Sequence, residues 1–70
     1  MNAEDLGKHI QKIRINKGMT MREFGAEIDS CVRSGTVNNW EHGKNKPNKR
    51  RLKAIADMEG ITVSELLGKA

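Results

Sequence analysis

Apolar residues recur at helical spacing along nearly the whole chain, in short runs punctuated by glycine, proline and capping residues. Leu6, Ile10 and Ile13 mark one face of a first helix. Asn2 can cap it, and Glu4 and Asp5 fall in its first turn, where the helix dipole favours negative charge. Arg14 lies at the edge of that stripe, Ile15 points away from it, and Lys17-Gly18 ends the helix. Thr20 and Glu23 have capping-box spacing and open a second helix, in which Phe24 and Ile28 share a face. A turn-rich break runs from Asp29 to Ser34. A third helix follows over Ser34 to His42, and Gly43 stops it by taking the left-handed conformation.

Pro47 prevents that helix from continuing and biases Lys46 toward an extended backbone. Asn48 can cap a fourth helix to Met58, with Leu52, Ile55, Ala56 and Met58 as its buried side, and Gly60 terminates it. Thr62 and Glu65 form a second capping box, opening a short fifth helix that bears Val63, Leu66 and Leu67. The last residues, Gly68, Lys69 and Ala70, are expected to fray. The pattern predicts an all-α fold of five short helices. With 70 residues it forms one domain, residues 1–70. A hydrophobic content of 36%, with one Trp, one Phe and no Tyr, suits a small core built on Ile, Leu, Val and Met.

The third helix has two unlike faces. At about 100° per residue, Val37, Trp40 and Glu41 point one way, and Gly35, Asn38, Asn39 and His42 the other. Glu41 therefore shares an apolar face and should be at least half buried, which requires a cation with hydrogen-bonding geometry. Arg14 is the partner expected, in a structural and not a catalytic pair. The opposite face has hydrogen-bonding side chains and no carboxylate. Asparagine can pair bidentately with adenine N6 and N7, so this face suits the edges of DNA bases. The plain alternative is a solvated helix surface.

Charge adds to the picture. The formal charge is +4 and the sequence pI is about 9.6, a balance that favours polyanionic partners. Lys44, Lys46, Lys49, Arg50, Arg51 and Lys53 crowd into ten residues, with no nearby acid expected to neutralise them. Phosphate contacts would relieve their repulsion and release counterions. Lys44 and Lys46, directly after the amide-bearing helix, are assigned to phosphates. Arg50, Arg51 and Lys53 are divided between phosphate contact and a solvated face.

Other functions find little support. The lone Cys31 cannot form an internal disulfide, which points to a reducing cytoplasm. No apolar run approaches transmembrane length, and the polar start MNAEDLGK is not a signal peptide. His9 and His42 lie far apart without a ligand cluster, so neither metal nor cofactor is expected. Cys31 has no evident basic partner and is read as a half-buried turn residue. No small-molecule substrate or enzymatic activity is indicated.

The ordered combination of Leu6, Ile10, Arg14, Gly18, Thr20, Glu23, Phe24, Ile28, Val37, Trp40-Glu41, Gly43-Lys44, Pro47, Leu52, Ile55-Ala56, Gly60 and Leu66 resembles the phage-repressor and Cro-type helix-turn-helix family, also called XRE-like. The likeness covers nearly the whole chain. It implies a five-helix, lambda-repressor-like domain that binds double-stranded operator DNA, usually as a homodimer on a near-palindromic site. It also implies a bacterial or phage transcriptional regulator, repressor-like, with the second motif helix in the major groove. By position, Ser34, Gly35, Asn38 and Asn39 fall where the family reads bases. Thr20, Met21, His42, Lys44 and Lys46 fall where it holds phosphates, and Arg14 and Glu41 match its structural ion pair.

Three departures modify that assignment. Met21 stands where the family often has a glutamine that contacts the backbone, so Arg22 is taken as its substitute. The connection from Ile28 to Val37 is about two residues longer than the usual turn, with Asp29 in place of a glycine. This leaves the start of the third helix open and brings Arg33 onto the phosphate list. Gly35 reads no base by side chain, which gives DNA shape a larger share of specificity. The rival function is a protein-interaction module of antitoxin or antirepressor type, which would bury the basic surface against an acidic protein. Val63, Leu66 and Leu67 are the one apolar group that could serve it, or could equally form a homodimer seam.

Overall fold

Each of four helices begins at a side chain that accepts a backbone amide of its own first turn. Asn2 Oδ1 accepts from Asp5 at 2.8 Å and Asn48 Oδ1 from Arg51 at 2.9 Å. Thr20 and Thr62 form complete capping boxes with Glu23 and Glu65, each carboxylate reaching back to the threonine amide. Four orphan helix starts are thereby satisfied locally. The computed structural model describes residues 2–68 and contains α1 (Ala3–Asn16), α2 (Met21–Ile28), α3 (Ser34–Glu41), α4 (Lys49–Glu59) and α5 (Val63–Leu66). No strand occurs among the described residues. The fold is all-α with five helices. Of the segment expected to fray, Gly68 lies in a turn, and Lys69 and Ala70 are outside the described residues.

The boundaries differ from the sequence pattern in small ways. α3 ends one residue early, at Glu41, with His42 as its C-cap and Gly43 in the left-handed region at φ 74°. α4 runs one residue further than Met58, to Glu59, before Gly60 turns left-handed at φ 69°. Glu23 is held below the usual carboxylate range by the Thr20 backbone amide first and its hydroxyl second. Its box therefore adds stability above the ordinary carboxylate range and loses it as pH falls through the lowered value.

The core gathers Leu6, Ile10 and Ile13 of α1, Phe24 of α2, Val37 and Trp40 of α3, Ile55 and Ala56 of α4, Leu66 of α5, and Val32. Val32 was not expected there. It lies in the break between α2 and α3, where no periodicity marks it, yet only 5% of its surface is exposed. Gly25 makes room: a Cβ at that position would stand 2.8 Å from the Val32 carbonyl oxygen. Cys31, expected half-buried, is instead exposed. The turn commits one side chain inward, and the branched aliphatic one takes the place.

Two further contacts close the bundle. His9 Nδ1 donates to the Leu66 carbonyl at 3.0 Å, tying α5 to α1. Lys17 donates to the Met58 carbonyl at 3.3 Å and pairs with Glu59 at 3.5 Å, joining the ends of α1 and α4. Leu66 is fully buried, so it cannot belong to the exposed seam suggested by the sequence; Val63 and Leu67 are half-buried against the same core. Ile15 faces away from the core, 59% exposed.

Gly7 sets how closely α1 and α3 approach. A Cβ there would collide with the Trp40 carbonyl oxygen and stand 2.8 Å from that of Glu41, both backbone atoms that cannot turn aside. Gly35 is the contrasting case, with nothing within 4 Å of such a Cβ. Gly7→Ala is therefore expected to destabilise the protein by about 2 kcal/mol or more, whereas Gly35→Ala stabilises it by about 0.5 kcal/mol. Urea unfolding of the two variants checks both signs, and equal effects would remove the α1–α3 contact as a constraint.

Candidate nucleic-acid interface

α3 is held by one buried carboxylate. Glu41 is 7% exposed, and Arg14 of α1 meets it in a fork: Nε donates to Oε2 at 2.6 Å and Nη2 to Oε1 at 3.1 Å. The remaining Nη1 donates to the Met19 carbonyl at 3.0 Å. The hydrogen bond to Glu41 raises the Arg14 pKa above its ordinary value, with desolvation opposing it. No side-chain nitrogen or oxygen is buried without a partner among the described residues. The pair joins the end of α1, the loop before α2 and the end of α3.

With Val37, Trp40 and Glu41 turned inward, the other side of α3 is left outward. Ser34, Gly35 and His42 are exposed, and Asn38 and Asn39 are half-buried. The chain uses these two asparagines through their backbone. The Asn38 carbonyl accepts from the His42 amide and the Asn39 carbonyl from Lys44 and Asn45. Beyond its end the chain passes Lys44 and Lys46, both exposed, to the buried Pro47.

At the other end of α3 the helix start is bare. Arg33 occupies the N-cap with no side-chain hydrogen bond to the first turn. Arg22, Ala26, Ser30, Val32, Arg33 and Ser34 line an open depression of about 390 Å³ between α2 and this start. Thr20 is exposed at the head of α2, with its hydroxyl accepting from Glu23. Met21 is half-buried against the core, whereas Arg22 after it is exposed.

The ion pairs among the described residues are Arg14–Glu41, Lys17–Glu59 and Lys53–Asp57. The third corrects an expectation. Lys53 is met at 2.7 Å by Asp57 one helical turn on, so an acid does offset part of the basic segment. Among the described residues, Lys44, Lys46, Lys49, Arg50 and Arg51 carry no such bridge. Three of these cations sit in the first turn of α4, where the helix dipole disfavours positive charge. No group of three His, Cys, Asp or Glu side chains that could hold a metal occurs among the described residues. No helix of the described residues is long and apolar enough to cross a membrane.

A two-helix motif with a pinned third helix, an outward amide face and flanking cations defines a helix-turn-helix protein. Residues 10–66 match the Helix-turn-helix family model, and the chain belongs to this family, of XRE type. It is 29% identical over 63 residues to the HTH-type transcriptional activator BcrR of Enterococcus faecalis, a match that covers 90% of this chain and 30% of that protein. The chain thus spans less than a third of this relative's length. No solved structure matches it. The family and the relative together support DNA-binding transcription regulation as the class of function.

Removing one partner of the Arg14–Glu41 pair leaves the other charge buried and uncompensated. Arg14→Met is expected to destabilise the chain by about 3 kcal/mol, and adding Glu41→Leu to recover most of the loss. A double-mutant cycle in urea measures this coupling; additive losses would show that the two ions are independent.

Proposed function

We propose that residues 1–70 form one DNA-binding domain that places α3 in the major groove of an operator. The observation that carries this reading is the outer side of α3, exposed at Ser34 and Gly35 and half-buried at Asn38 and Asn39. A Cβ at Gly35 would meet nothing within 4 Å, while Asn38 and Asn39 lie beside it on a helix whose other side is locked into the core. Asn38, Asn39 and Ser34 discriminate bases in this reading, and Gly35 lets the backbone approach the base edges. Thr20, Arg22, Arg33, His42, Lys44 and Lys46 hold phosphates on either side and fix the register. Lys49, Arg50 and Arg51 at the start of α4 extend the basic surface.

A second copy bound to a near-palindromic site completes the proposal, with the protein acting in the cytoplasm. Repression follows where occupancy blocks a promoter, and the Enterococcus faecalis relative bears an activator's name. Site-specific occupancy is common to both modes. The competing reading, a docking module for an acidic protein, has lost Leu66 from its apolar group.

Asn39→Ala is expected to relax operator preference by about 1–3 kcal/mol at one base pair, measured by competition between operators altered one position at a time. An equal loss on every sequence would remove Asn39 from base reading. Lys44→Ala, in contrast, weakens binding to all duplexes and lowers the slope of log K against log salt by about 0.9. Gel-shift titrations at several salt concentrations provide that slope, and an unchanged value takes Lys44 out of the phosphate set.

A further inference from the structure

His42 stands at the C-cap of α3, exposed, between the amide face and Lys44. Its Nδ1 lies 2.8 Å from the Asn38 carbonyl oxygen. A carbonyl oxygen only accepts, so Nδ1 carries the hydrogen and donates it. That assigns the tautomer: in the neutral ring, Nε2 is left as a lone-pair acceptor. A phosphodiester oxygen is also an acceptor, and negatively charged. Neutral His42 therefore has no hydrogen to offer a phosphate at its free nitrogen, and lone pair would face lone pair. Protonation at Nε2 leaves the Asn38 bond intact and turns the outer nitrogen into a charged donor.

We propose that DNA binding takes up one proton from solvent at His42 Nε2, so that acidification strengthens the phosphate grip at the end of α3. This rests on the reading that His42 touches the DNA backbone. The charged residues that flank His42 along the chain or pack against its neighbour Gly43 come from three segments. Glu4 of α1 lies against Gly43, with its Cγ 2.9 Å from where a Cβ would stand. Glu41 of α3 is turned inward to Arg14. Lys44 and Lys46 follow in the strap to Pro47. A phosphate bound at Nε2 places an anion against the ring, and an adjacent anion favours the charged donor in the complex.

The sign follows directly. A group that binds its proton more tightly in the complex adds affinity as pH falls through the range where imidazoles titrate, and the gain levels off once the free protein is already charged. Phosphate contacts do not depend on base sequence, so a short labelled duplex of mixed sequence is a sufficient probe. Fluorescence anisotropy at about pH 8 and about pH 5.5 should give about tenfold tighter binding at the lower pH, with a salt slope steeper by about 0.9. His42→Ala should bind with one affinity at both values, near the weaker wild-type level. His42→Lys should also be flat, near the stronger level. Circular dichroism at each pH verifies that every variant is folded.

A pH dependence that survives in His42→Ala would belong to His9 or to the fold and would overturn the proposal. Wild-type binding of equal strength at both values would overturn it while leaving the DNA-binding reading in place. Failure to bind the duplex at either pH would overturn that reading itself.

Discussion

A carboxylate taken out of water must be met by a cation, and in this protein that requirement orients the helix on which function is proposed to depend. Glu41 has two oxygens to satisfy, and the Arg14 guanidinium satisfies both while its third nitrogen holds the Met19 carbonyl. The planar fork fixes distance and rotation together, which a lysine's single ammonium would not. Gly7 then lets α1 come close enough for the fork to reach, because a methyl group there would press on the α3 backbone. Small residue and ion pair act on the same crossing, one setting how near the helices come and the other how α3 is turned.

What α3 offers outward is the complement of what it commits inward. Val37, Trp40 and Glu41 take the core side of an eight-residue helix, leaving Ser34 and Gly35 exposed and Asn38 and Asn39 half-buried on the other side. The cations lie at both ends of this strip, Arg22 and Arg33 before it and Lys44 and Lys46 after it. Five of the nine acidic side chains are engaged locally: Glu23 and Glu65 close capping boxes, Glu41 is bound to Arg14, and Asp57 and Glu59 pair with Lys53 and Lys17.

Much of this was legible in the linear chain. Capping boxes act within four residues, so Thr20-Glu23 and Thr62-Glu65 announce their helices without help from the fold. The stripes of α1 and α3 were equally plain, and a glutamate placed among Val37 and Trp40 called for a partner that Arg14 could supply. Val32 escaped notice because its burial depends on Gly25, seven residues earlier on a different element. His9 gave no sign of its bond to Leu66, a contact between opposite ends of the chain. The pairing of Lys53 with Asp57 was available at helical spacing, yet it was obscured by the density of cations around it.

By itself the sequence determined which segments are helical and which side of each is apolar, with some helix ends displaced by a residue, since these depend on interactions a few residues long. Tertiary structure alone decided which turn residue is buried, which apolar residues of α5 remain accessible, and that His9 of α1 bonds to the Leu66 carbonyl. These outcomes follow from backbone carbonyls and close approaches contributed by folding, and no local pattern of side chains encodes where those atoms will lie.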